Sequence, residues 1–400
     1  MVPKLGGKIL AWQPLETIAE QASTATVRRS YQIKVAIPPG SCLLPTGPRH
    51  EILPLTGLRG IAALWVFAYH CFRLTEDLPL IYRLPLAVFA KAGYLGVDIF
   101  FVLSGFVIAY NYSGIRRSAY LPYLWKRLAR IYPLHIAALL FFGLTLPWNG
   151  FTTDISVGAL MKSLLMVHAW ALPVAKIWNS PSWSISAEWA AYLAFPLISF
   201  AAGRVKAYAI PAILVLFALF FCLVEFGPWP GDSMAYGMHR IAFEFTAGVL
   251  LFRVWVQTRL AMNFATLTAL GGLIVGASIV ESISRDDYAM SVLPIFACVI
   301  VYGLACSTGK LAAFMNRLRY LGLISYALYL FHATVLGILL QIVRGAGLSG
   351  NPAIVFPMLI AGLLLSLATA HLAHKYIENP CRKSMLEKQP GFRAGRQSVT

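Results

Sequence analysis

Apolar runs of about twenty residues, separated by short polar and basic segments, recur along most of this chain. They fall at 55–75, 88–110, 128–147, 183–201, 207–226, 237–255, 262–281, 288–307, 320–343 and 353–374. A bilayer's hydrocarbon core is about 30 Å thick, and a helix of about 20 residues crosses it. The pattern therefore predicts an all-α, polytopic bundle of ten transmembrane helices. An eleventh stretch, 155–170, is shorter and carries Lys162 and His168. Residues 1–50 break the pattern with Pro, Gly, Ser and Thr among Lys4, Lys8, Arg28, Arg29, Lys34 and Arg49. They lack an apolar core for a signal peptide and read as a poorly ordered basic tail. A transmembrane domain over 51–380 and a basic tail over 381–400 follow. No internal repeat is apparent.

The distribution of Lys and Arg decides the eleventh stretch. If it does not cross, Arg204, Lys206, Arg253, Arg259, Lys310, Arg317, Arg319 and the bases from Lys375 onward share one side. The other side then keeps only Arg240, Arg285 and Arg344 from that part of the chain. Cytoplasmic loops are enriched in Lys and Arg. The loop with Arg116, Arg117, Lys126, Arg127 and Arg130 agrees. The expectation is an interfacial or re-entrant 155–170 and two cytoplasmic termini.

Composition narrows the class. Charged residues make up 12% of the 400 residues and hydrophobic ones 58%, whereas average soluble domains carry about 25% charged residues. The net charge of +17 is then an orientation signal and not a nucleic-acid footprint. The six cysteines, Cys42, Cys71, Cys222, Cys298, Cys306 and Cys381, show neither a CxxC nor a disulfide framework. No metal is expected.

The first apolar run holds an Arg and a His on one face. Arg59 and His70 are eleven residues apart, about three helical turns and roughly 16 Å along the axis. An ionisable residue at that depth is by default a functional-site hypothesis, the alternative being a histidine bonded into packing. Arg127 and Arg130 are i,i+3 neighbours that share a helix face. Arginine forks suit phosphate; the alternative is a pair of anchors at lipid headgroups. In the other half lie His70, Asp98, Glu188, His239, Arg240 and His332. Asp98 is a candidate catalytic group, or a cap. Glu188 wants a partner, and by depth His70 and Arg240 are the nearest candidates. His332 is a second base, an acceptor contact or a packing residue. His371 and His374 read as interfacial. A His beside a carboxylate can deprotonate a hydroxyl. The residues thus suggest a basic anion site on the inner side and a His/carboxylate site on the outer side, joined by one helix.

Ordered motifs add a resemblance. Arg59-x10-His70, the run GVDIFFVLSGFVI, Arg127-x-x-Arg130, Trp183-Ser-Ile-Ser-Ala-Glu188-Trp189, His239-Arg240-Ile-Ala-Phe-Glu-Phe-Thr-Ala-Gly248, SYALYLFH and Tyr376-Ile-Glu-Asn-Pro380 stand in sequence. Together they resemble the acyltransferase family 3 membrane proteins, over roughly residues 51–384. The resemblance implies a transferase at the bacterial inner membrane. Its donor would be cytoplasmic acyl-CoA, often acetyl-CoA. The acceptor would be a hydroxyl of a surface or lipid-linked carbohydrate, in contact with the bilayer. It implies catalytic roles for His70, Glu188 and Asp98. Arg59, Arg127 and Arg130 would bind the donor, and Trp183, Arg240 and His332 the acceptor. Whether His70 acts as base or acyl carrier stays open. Larger members carry a fused soluble domain, which is not expected here. The runner-up is a saccharide or small-solute transporter with His70 and Glu188 as a proton relay.

Overall fold

The chain divides into two compact units, Met1–Arg49 and His50–Thr400. The computed structural model describes residues 51–79, 81–83, 89–151, 154–170, 178–206, 237–258, 271 and 293–389, all in the second unit. Among them are helices and no strand. The apolar runs expected at 207–226 and, but for residue 271, at 262–281 lie outside the described residues.

Helix α1 (Leu53–Arg73) starts with a proline in its first turn, where the missing N–H costs nothing. After a short 3-10 turn over Lys91–Leu95 comes α2 (Gly96–Tyr112). Next are α3 (Tyr120–Leu144), α4 (Val157–Leu164), α5 (Trp183–Arg204) and α6 (Gly237–Thr258). Then follow α7 (Leu293–Ala305), α8 (Gly309–Arg317), α9 (Arg319–Gly345) and α10 (Pro352–Ala373). A π-helical turn, His374–Glu378, joins α10 to α11 (Asn379–Glu387).

Among the described residues, six helical segments are long and apolar enough to cross a membrane: Leu53–Arg73, Lys91–Tyr112, Arg117–Leu144, Ser180–Arg204, Arg319–Gly345 and Pro352–Glu387. The protein is a multi-pass membrane protein. Of the run expected at 288–307, Leu293–Ala305 forms α7; α7 and α8 are long and apolar enough to cross only as a pair, bent by 102°. Gly309, at φ +66°, supplies the left-handed residue at that break. α6 has the length of a span, but Arg240, Glu244 and Arg253 dilute its apolar character. α4 has only eight residues, about 12 Å of helix, too short to span. Its exposed Val157 and Met161, with Leu165 just beyond its end, recur every fourth residue as one apolar stripe.

Close approaches of helix backbones build the bundle. α1 and α9 run side by side in the same direction, and Gly60 and Gly322 each face the other helix's backbone or side chains with no room for a Cβ. Gly105 of α2 and Gly248 of α6 do the same, against Phe245 and Val102. Small residues let helix backbones meet closely where lipid offers no hydrophobic drive. α9 and α10 form an antiparallel hairpin, with the Tyr320 hydroxyl and His371 Nδ1 2.6 Å apart at its open end. The helix was expected to end near 374 and a tail to begin at 381. The chain instead stays helical to Glu387, and the Trp125 indole N–H holds α11 to α3 through the Met385 carbonyl at 2.7 Å.

Candidate functional site

At one end of the bundle a cavity of about 530 Å³ opens among α1, α5, α6 and α9. His70, Trp183, Arg240 and Tyr329 line it, with Tyr69, Tyr94 and Arg73. Three residues singled out from the sequence thus meet in one space, although they come from three helices.

His70 is positioned by α1, whose buried face carries Leu58, Ala62, Trp65 and Val66. Its ring lies edge-on to that of His332, with centroids 4.8 Å apart. His332 is buried behind it and does not line the cavity. The His332 Nδ1–H donates to the carbonyls of Tyr329 (2.8 Å) and Leu328 (3.1 Å). That fixes the tautomer and leaves Nε2 as a buried lone pair without a hydrogen-bond partner among the described residues.

Trp183 and Arg240 form another wall. Asn179 adopts the left-handed conformation at φ +53°, which asparagine tolerates better than most residues. Its side-chain amide donates to the Leu330 carbonyl at 3.1 Å. This elbow starts α5 and aims Trp183 at the cavity. The Arg240 guanidinium lies 5.6 Å from the Trp183 ring. Asp98 Oδ1 accepts from Arg240 Nη2 at 2.5 Å and from Nε at 3.1 Å. Asp98 therefore stands behind Arg240, as its counter-ion, and both are buried. Glu244, one turn beyond Arg240, approaches its Nε at 3.9 Å and is fully buried.

Glu188 pairs with neither His70 nor Arg240, the partners expected from depth. Its Oε1 accepts from Tyr192 at 2.5 Å and from Ser104 at 2.6 Å. The reason is local: Tyr192 is one turn along α5, and Ser104 lies on the face of α2 that packs against it.

The opposite end is basic. Arg59 lies 5.9 Å from the Phe100 ring, and Phe100 in turn meets the cavity-lining Tyr329 at 6.0 Å between centroids. Phe100 thus neighbours both Arg59 and the cavity-lining Tyr329. Arg127 Nη2 donates to the Tyr112 hydroxyl oxygen at 3.3 Å, while its buried Nε has no partner among the described residues. Arg130 forms an ion pair with Glu378 of the π-helical turn, whose Oε2 accepts from His374 Nδ1 at 2.8 Å. Arg59, Arg382 and Arg127 all lie within electrostatic reach of Arg130.

Five participants escaped the sequence reading: Ser104, Tyr192, Glu244, Glu378 and Arg382. Three left a signal, since Tyr192, Glu244 and Arg382 stand four residues beyond Glu188, Arg240 and Glu378 on the same helical face. Ser104 left none, because its contact is purely tertiary. Among the described residues no group of three or more His, Cys, Asp or Glu side chains could hold a metal ion.

The arrangement can place a histidine and an arginine against a small polar ligand at one end, and gather guanidinium groups at the other. Comparison with known proteins identifies the family. A family described as an acyltransferase domain matches residues 53–371. The chain is 28% identical over 384 residues to acyltransferase MdmB of Streptomyces mycarofaciens, covering 86% of this chain and 95% of that protein. It is 26% identical over 373 residues to the putative peptidoglycan O-acetyltransferase YrhL of Bacillus subtilis, covering 83% and 55%. With peptidoglycan O-acetyltransferase OatA of Listeria monocytogenes it shares 23% over 377 residues, covering 84% and 56%. The chain thus spans little more than half the length of these last two. No solved structure matches it.

Proposed function

This chain belongs to the acyltransferase domain family, and from that premise we propose that it moves an acyl group, acetyl in the simplest case, from acyl-CoA to a carbohydrate hydroxyl. The acceptor is a surface or lipid-linked sugar, the class that the peptidoglycan O-acetyltransferase relatives' names point to. The single observation that carries the reading is the first helix. It holds Arg59 among arginines and His70 in the cavity, roughly 16 Å apart on one face. An extended pantetheine arm can bridge such a distance, past Phe100, with its phosphates at the arginines and its thioester at His70. On this reading Arg59, Arg127 and Arg130 face the cytoplasm of a bacterial inner membrane and the cavity faces outward.

In the proposed step His70 takes the proton from the acceptor hydroxyl. The hydroxyl oxygen attacks the thioester carbonyl, a C–O bond forms, the C–S bond breaks, and the thiolate leaves and is reprotonated. Arg240, held by Asp98, faces the cavity as the donor of hydrogen bonds to developing negative charge or to the sugar. Trp183 offers a flat apolar face to a pyranose ring. Glu188, tied to Ser104 and Tyr192, braces α5 against α2. A proton relay from His70 to Glu188, as a transporter would need, has no contact to support it.

The test is purified protein in detergent with acetyl-CoA. Wild type should release free thiol in the presence of a carbohydrate acceptor. His70→Ala should bind coenzyme A with unchanged affinity and release none, because it loses a transition-state contact and not a ground-state one. Normal turnover in His70→Ala would overturn the assignment.

A further inference from the structure

The lining of the cavity divides by helix. α5 and α6 contribute Trp183 and Arg240, groups suited to a polar ligand. α9 contributes an apolar strip. Its lining residues are Tyr329, Ala333, Leu336, Leu340 and Arg344, at steps of three and four that keep them on one face. Leu74 joins them from the end of α1, four residues past His70. His332 marks the depth of His70 on α9, since their rings are 4.8 Å apart. From that depth to Leu340 is eight residues of helix, roughly 12 Å towards the mouth. Every lining residue on this stretch of α9 is apolar. Arg344, paired with Asp77 at 3.1 Å, bounds it at the rim. Leu336 belongs to a buried cluster with Phe67, Cys71, Val355 and Met358, so the strip is backed by packed side chains.

Direction decides what such a strip can hold. α1 carries Arg59, then His70, and Leu74 follows at its end. A donor with its phosphates at the arginines and its thioester at His70 carries its acyl chain foremost, past His70 and on towards Leu74 and Leu336. An acetyl methyl reaches only one C–C bond beyond the carbonyl carbon, about 1.5 Å, and leaves most of the strip uncovered. We propose that Ala333, Leu336 and Leu340 of α9, with Leu74, form an acyl-chain subsite, and that the donor it fits best carries a straight chain of four to six carbons. A six-carbon chain is at most about 9 Å long, within the strip. Leu340, nearest the rim, then sets the upper limit of length. The acceptor hydroxyl comes to His70 from the side of Trp183 and Arg240. This rests on the reading above that the donor is acyl-CoA with its thioester at His70.

The experiment is calorimetric titration of the full chain, in a maltoside detergent, with coenzyme A and its S-ethyl, S-butyl and S-hexyl thioethers, which cannot transfer their chains. Burying one methylene in an apolar site strengthens binding about fourfold. Wild type should therefore bind S-butyl-coenzyme A about tenfold or more tighter than the S-ethyl analogue, with a further gain at S-hexyl. Leu336→Phe fills the strip and should cancel both gains. Leu340→Ala, a milder change, removes contacts only near the rim and should weaken S-hexyl more than S-butyl. Leu364→Ala, at an exposed position of α10, should bind all four ligands as wild type. Coenzyme A bound by wild type, with thioether affinity flat or falling as the chain grows, would overturn the subsite and leave the donor reading standing. A gain per methylene that both Leu336→Phe and Leu340→Ala retain would belong to the detergent and overturn the subsite as well. No binding of coenzyme A or of any thioether by wild type would overturn both readings.

Discussion

His70 and His332 stand edge to face, 4.8 Å between ring centroids, and only His70 reaches the cavity. His332 has spent its Nδ1–H on two carbonyls of its own helix. Its bare Nε2 can only accept, and His70 is the neighbouring ring. A small rotation of His70 would let one of its nitrogens donate to that lone pair, leaving the other free to take a proton. Second-sphere partners of this kind decide which histidine nitrogen is the base.

The expected consequence is that His332→Phe keeps the packing volume but lowers kcat by on the order of tenfold or more. The KM for acyl-CoA should hardly change. His332→Gln, which retains an acceptor, should recover part of the loss. The pH profile of kcat separates this from a structural role, because a tautomer partner shifts its acid limb. A lowered melting temperature with an unmoved profile would reduce His332 to packing.

Asp98 and Arg240 make a second prediction. Removing one partner of a buried ion pair leaves an uncompensated charge, at a cost of about 3–5 kcal/mol. Asp98→Asn should therefore lower the melting temperature in detergent markedly, since among the described residues Glu244, at 3.9 Å, is the one carboxylate that remains near the guanidinium. The double variant Asp98→Asn/Arg240→Gln should be less destabilised than the sum of its parts. Additive losses would mean that the pair does not couple.

Which features were legible follows from how local they are. Arg59 and His70 share one helix, so helical periodicity alone puts them on one face. The distribution of apolar runs foretold an all-helical membrane chain, and α1, α2, α3, α5, α9 and α10 lie where such runs occur. The pairing of Asp98 with Arg240 was not legible, because it joins helices separated by more than a hundred residues. Glu188 was misjudged for a related reason: depth in a membrane ranks partners poorly beside the tyrosine one turn away. Arg382 was hidden because it fell within the stretch 381–400 read as a basic tail. Here Pro380 falls in the first turn of α11, where its ring fits and its missing N–H was never needed. At Gly309 the opposite happened, and the break between α7 and α8 bends the pair by 102°.

Glu51, just before α1, gives a pH dependence. Burial raises its pKa, but the Thr56 hydroxyl donating at 2.7 Å and the Arg319 ion pair outweigh that and hold it below the usual 4.5. A depressed carboxylate contributes stability that is present above its unfolded pKa and lost as pH falls through its folded one. The pair is largely exposed, so the contribution is at most about 1 kcal/mol after screening. Glu51→Gln should lower stability slightly at neutral pH and flatten the slope below about pH 4.5. High salt should shrink the difference. An unchanged acid slope in the variant would show that Glu51 ties α1 to α9 too weakly to register.

Orientation is the last and most exposed expectation, because the proposed chemistry depends on which end meets cytoplasmic acyl-CoA. α9 and α10 form a hairpin, so residue 346, between them, sits at the cavity end, while α11 sits at the arginine end. Arg116, Arg117, Lys126, Arg127, Arg130, Arg204, Arg317, Arg319 and Arg382 gather at the arginine end. The cavity end has fewer bases, and Arg73 and Arg344 there pair with Glu76 and Asp77. Lys and Arg favour the cytoplasmic side, and acidic neighbours change that little, so the arginine end should be inside. The measurement uses a cysteine-free background carrying Ala346→Cys or Lys383→Cys, both at exposed positions, in whole cells treated with an impermeant maleimide. Ala346→Cys should label from outside. Lys383→Cys should label only after the cells are permeabilised. The reverse pattern would put the guanidinium cluster on the side without acyl-CoA. The division of labour between Arg59 and His70 would then have to be abandoned.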